Sequence, residues 1–136
     1  MKIENEKVAQ KGMERRIILR IDGSAGLSAG VVVWLLNDVL VGLYQIPAWL
    51  LAITVSANLV YGIGASLLAS WHQRPIGAVS ILSVANLLWA VMCLVTAVLL
   101  VPTASLFGVG HFVVEGIFVA TLGILEWRWR ADLGRA

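Results

Sequence analysis

The chain has 136 residues, 60% of them hydrophobic and 13% charged, with a mean hydropathy of +0.89. A soluble domain carries about 25% charged residues, and a chain this short cannot bury so much apolar surface in a water-soluble core. These values exclude a soluble globular protein and indicate a membrane protein. The net charge of +2 does not point to nucleic acid, because cations at membrane edges are explained by anchoring and orientation.

Residues 1–15 read as a cytoplasmic tail, either mobile or the start of a surface helix. The polar region runs to Arg16 and the apolar run from Ile17 is too long for a secretory h-region, so the first helix is expected to be retained. Span 1 is expected near 17–44, longer than the roughly 20 residues needed to cross the hydrocarbon. Its small residues Ala25, Gly26, Ala29 and Gly30 form overlapping small-xxx-small pairs that admit a close helix neighbour. Asp22, next to Arg20 near the start of this span, is expected to form a cytoplasmic-edge ion pair with Arg20, with Arg16 and Arg74 as other possible partners. Asn37 and Asp38 fall near the far end, within reach of interfacial water.

No charged side chain occurs between Val39 and Gln73, or between Pro75 and Val114. Pro47 and Pro102 each stand between two apolar runs, as first-turn helix prolines do. The polar hinge His72-Gln73-Arg74-Pro75 divides the middle of the chain. These marks place span 2 near 48–71, span 3 near 76–101 and span 4 near 103–126, with 129–136 as a second cytoplasmic tail. Residues 16–128 would then be one all-α membrane domain, an up-down-up-down antiparallel bundle of four transmembrane helices.

All ten Lys and Arg residues precede or open span 1, occupy the hinge, or follow span 4. Positive residues flanking short loops stay cytoplasmic, so both termini and the Arg74 hinge are expected inside, in a bacterial inner membrane. Tyr44 and Trp49 would mark the outer interface, with Trp71, Trp127 and Trp129 at the inner one. The lone Cys93 allows no internal disulfide and reads as an apolar packing residue.

Within the spans, His111 and Glu115 are four apart and share a helix face. A carboxylate at mid-membrane costs about 2.5–3.5 kcal/mol to insert, so Glu115 must face protein or water. Asn58 and Asn86 each lie about ten residues into their spans and are expected level with Glu115. The four residues form a candidate intramembrane proton or ligand site. The bland alternative is that the amides only fix helix register.

His72 and His111 differ in depth by roughly 15 Å at 1.5 Å per residue, so they cannot share one haem iron. One His-x-x-x-Glu pair is also too few ligands for zinc or iron, and no cofactor or metal is expected. No catalytic motif occurs, and Ser66, Ser80 and Ser83 have no evident base; such serines more often bond the preceding turn. The chain reads as a non-catalytic bundle that binds a lipid, a quinone or a partner protein. The alternative is an oligomeric proton-coupled small-molecule transporter using Glu115. Partners would be the bilayer and a second copy or another membrane protein.

Three short motifs carry a resemblance: Arg20-Ile21-Asp22-Gly23, Leu43-Tyr44-Gln45-Ile46-Pro47 and Asn86-Leu87-Leu88-Trp89. From Arg20 to about Glu126 the chain resembles small, uncharacterised bacterial integral membrane proteins with four helices. The resemblance implies the four-span topology and carries over no catalytic residue.

Overall fold

The computed structural model describes residues 2–134, with side chains from 17 to 134. Five helices follow one another: α1 (Lys2–Leu35), α2 (Asn37–Tyr44), α3 (Ala48–Ser70), α4 (Ile76–Leu100) and α5 (Leu106–Leu133). Four segments are long and apolar enough to cross a membrane: Ile17–Leu35, α3, α4 and α5. The protein is an all-α, multi-pass membrane protein. Large apolar side chains such as Val60, Ile81, Val98 and Leu106 are exposed on the helix surfaces, as lipid requires of helices that satisfy their own backbone.

Several boundaries differ from expectation. Helix α1 begins at Lys2, so most of the expected N-terminal tail is helical and continuous with span 1; Met1 and the last two residues lie outside the described residues. Span 1 is also broken. Leu36 adopts φ −100° and ψ 11°, in the sparsely populated bridge region, just before Asn37 and Asp38, whose side chains bond each other at 3.4 Å. Polar side chains of this kind compete with the helix for hydrogen bonds. Helix α2 then ends at Gln45, whose φ of 56° makes it a left-handed cap ahead of Pro47.

Pro47 and Pro75 precede the first turns of α3 and α4 as extended caps, but Pro102 does not start α5. It lies in a turn closed by Ala104 N donating to Leu100 O at 2.8 Å. Ser105 starts α5 instead: its hydroxyl accepts from Gly108 N at 3.2 Å and donates to Leu43 O at 2.7 Å. At its other end α5 continues to Leu133, two turns beyond the expected edge at Glu126.

The helices associate in two pairs. Against α3, α1 makes successive approaches at Gly23–Ser66, Gly26–Gly62 and Gly30–Leu59, so the two run in opposite directions. A Cβ on Gly62 would lie 2.6 Å from Leu27 N, which explains why the small-residue stripe is needed there. Likewise α4 and α5 meet at Ala90–Gly116 and Asn86–Gly123, and Ser83 Oγ donates to Gly123 O at 2.6 Å. Ser83 therefore bonds across the helix pair, whereas Ser80 bonds Ile76 O in its own preceding turn at 2.9 Å. Arg74 is buried and caps α3, donating to Leu68 O at 3.0 Å and Ala69 O at 2.6 Å, where a cation meets the negative helix end.

Two apolar clusters close the ends of the structure. Val33, Leu40, Ile46, Leu51, Val55, Cys93, Ala97 and Phe112 form one, so Cys93 is a packing residue as expected. Leu19, Leu68, Ala69, Val79 and Leu133 form the other, at the Arg74 end. Between them, where the two helix pairs face each other, the interior is polar and partly open.

Candidate functional site

Glu115 on α5 is the hub of the first polar group. Its Oε1 accepts from Asn58 Nδ2 of α3 at 2.9 Å and from Trp89 Nε1 of α4 at 2.8 Å. Its Oε2 lies 3.2 Å from Nε2 of His111, one turn earlier on the same helix. The other nitrogen of His111 is 3.4 Å from the Tyr44 hydroxyl at the end of α2, and the two rings stack at a tilt with centroids 5.2 Å apart. The expected convergence of Glu115, His111 and Asn58 is therefore present, with Trp89 and Tyr44 added.

Asn86 is not part of this group. Asn58 and Glu115 are counted from helix starts at the same end of the structure, whereas Asn86 is counted from the opposite end of a 25-residue helix. The same count therefore places it one turn away, and Trp89 reaches Glu115 in its stead. Asn86 instead centres a second polar group. Its Nδ2 lies 3.3 Å from both carboxylate oxygens of Asp22 and 3.2 Å from Glu126 Oε2. The Tyr61 hydroxyl of α3 also donates to Asp22.

The expected Asp22–Arg20 ion pair does not form. Asp22 is 2% exposed and turned inward, whereas Arg20 is exposed; residues two apart on a helix do not share a face. Arg74 is engaged with the α3 carbonyls, and the side chain of Arg16 lies outside the described residues. Glu126, at the expected edge of span 4 and in the same helical sector as His111 and Glu115, is wholly buried. Its spacing carries the signal: eleven residues from Glu115 is just over three full turns, so both acids project from one face of α5.

The two groups bound a common cavity of about 210 Å³. Small residues of α1 and α3 (Ala25, Gly26, Ala29, Ala57) form one wall, and Trp89, Phe118 and Val119 of α4 and α5 the other. Asp22, Tyr61 and Asn86 reach it from the second group, Asn58 and Glu115 from the first. Glu115, Ala29 and Phe118 also line a separate surface groove that runs past His111 and Tyr44. The carboxyl group of Glu115 thus stands between an interior cavity and the outer face of the helices. Among the described residues no cluster of three or more His, Cys, Asp or Glu side chains is arranged to hold a metal ion.

No family model matches the chain, and no match was found among the curated proteins or the solved structures.

Proposed function

We propose that this is a non-catalytic protein of the bacterial inner membrane that binds a small molecule between its two helix pairs. Both termini lie in the cytoplasm. The ten cations support that orientation, since all lie before or at the start of span 1, in the 71–75 connection or beyond Glu126. A green fluorescent protein fused to the C-terminus should fluoresce and alkaline phosphatase fused there should be inactive; the reverse pattern would refute the orientation.

The cavity is the observation that carries the binding function. For scale, an engineered apolar cavity of about 150 Å³ takes up benzene, so 210 Å³ suits a molecule little larger than one ring. A complete lipid is too large to be enclosed, which narrows the expected ligands to a quinone-like head or a short amphiphile. Apolar walls with a few convergent polar groups are the usual composition of such sites. The lining contains two acids, two amides and no Lys or Arg, a set that favours a neutral or cationic occupant over an anion. Native mass spectrometry of the gently extracted protein should find a bound small molecule in the wild type and none in Ala57→Phe, whose ring would occupy the cavity. A wild type without any bound species would contradict this function.

A second function, oligomeric proton-coupled transport, is favoured by the position of Glu115 on both the cavity and the surface groove. A proton-linked carrier needs an ionisable group that can meet both compartments. Uptake driven by a pH gradient in proteoliposomes should be lost in Glu115→Gln. Uptake at the wild-type rate in that variant would remove Glu115 from the mechanism.

A further inference from the structure

The second polar group places two acids face to face without a cation between them. Asp22 is 2% exposed and Glu126 0%, and their carboxyl groups converge on one atom, the Asn86 amide nitrogen. The donors around them are few. From α3 comes the Tyr61 hydroxyl, which bonds Asp22 alone. From α4 comes the single amide of Asn86, spread over three carboxyl oxygens at 3.2–3.3 Å. Glu126 Oε1 is buried with no hydrogen-bond partner among the described residues. No cationic side chain among the described residues pairs with either acid; the acid that meets a basic side chain within the spans is Glu115, beside His111.

Two carboxylates cannot hydrogen-bond each other, because both are acceptors only. Placed together in a buried site they do not both ionise, as in the dyads that share a proton. We infer that Asp22 and Glu126 hold one proton between them, forming a proton-binding site separate from the Glu115–His111 pair and open to the cavity through Asp22. The balance is simple: one proton from solution joins the dianionic pair to give a singly charged, hydrogen-bonded pair, and it leaves by the reverse step. Asn86 keeps the two acids together and Tyr61 fixes the Asp22 carboxyl against the cavity wall. This site goes beyond the ligand-binding function and stands without it.

The test is infrared spectroscopy of the full-length protein in detergent near neutral pH. It uses Glu115→Gln as the background, so that Glu115 contributes no carboxyl signal. A protonated-carboxyl C=O band is expected, and carbon-13 labelling of aspartate alone or of glutamate alone should each shift part of it. Adding Glu126→Gln should abolish the band, because the new amide donates to Asp22 in place of the shared proton; that replacement also protects the fold. Absence of the band in a helical Glu115→Gln protein would overturn the site. So would a band that survives unchanged in Glu126→Gln, or one that responds to neither label. The labelling arm needs no change at Asp22 or Glu126 and therefore remains decisive if their variants fail to fold.

Discussion

Asn86 ties α1 and α5 to α4 with one amide, while Asn58 supplies only one of two neutral donors to Glu115. The two asparagines should therefore differ in what their loss costs. Asn86→Ala removes the amide that both acids use, leaving Asp22 and Glu126 only the Tyr61 hydroxyl and the proton they share. Asn58→Ala leaves Glu115 its Trp89 and His111 contacts. Interhelical hydrogen bonds in membranes are worth on the order of 0.6–2 kcal/mol, so Asn58→Ala should lower stability by about that much and Asn86→Ala by more. Thermal unfolding in detergent, followed by helical circular dichroism, measures the difference; equal losses would contradict the bridging role of Asn86. At this scale the sequence was informative where one helix carried the signal. The i,i+4 spacing exposed His111 and Glu115, and depth counted from a shared end found Asn58. It failed for Asn86, whose level depends on the length of its own helix. It failed too for Asp22, where nearness in sequence to Arg20 outweighed the rule that residues two apart do not meet.

Among the elements, the close crossing of α1 and α3 is the most demanding. Gly62 faces the backbone of Leu27, whereas Gly64, two residues along, faces open space. Gly62→Ala must push the two backbones apart, and overpacking of this kind costs typically 1–3 kcal/mol. Gly64→Ala should be neutral or slightly stabilising, since alanine is about 1 kcal/mol the better helix former. Comparing the melting temperatures of the two variants checks this; a destabilised Gly64→Ala beside an unaffected Gly62→Ala would refute the crossing. The stripe Ala25-Gly26-Ala29-Gly30 was legible as a contact face, but not the division of labour within it. Gly30 meets α3, Ala25 and Ala29 line the cavity, and Gly26 does both. The break at Leu36 and the start of α5 were harder to see, because Leu36 reads as helix and Pro102 draws attention from the Ser105 cap.

Across the whole molecule, four spans were readable from long charge-free stretches punctuated by proline and bounded by cations. Which faces meet was not readable. In lipid, a leucine turned to the bilayer and one turned to a neighbouring helix are equally apolar, so no period marks the buried side. The cavity was invisible for the same reason, since its walls are alanines and aromatics that read as ordinary packing. Its acids and amides, costly to place in a membrane, were the only sequence sign that the interior is not uniformly dry.

The division into two helix pairs has a consequence for how the protein is made. Each pair is contiguous in the chain and is held by close glycine contacts of its own. Between the pairs, the polar groups at mid-depth are flanked by an apolar cluster at either end, and the connection at 71–75 is anchored to α3 by Arg74. Independently stable helices that associate after insertion describe membrane folding in general; the pairing here predicts hairpins as the inserting units, with their docking as the last event. Residues 1–73 and 74–136, co-expressed as separate chains, should therefore find each other and co-purify, and Asn86→Ala should weaken their association. Halves that never associate would show that the connection itself holds the pairs together. If they do associate, biogenesis yields two sound hairpins first, and the acid-lined chamber exists only once they have met.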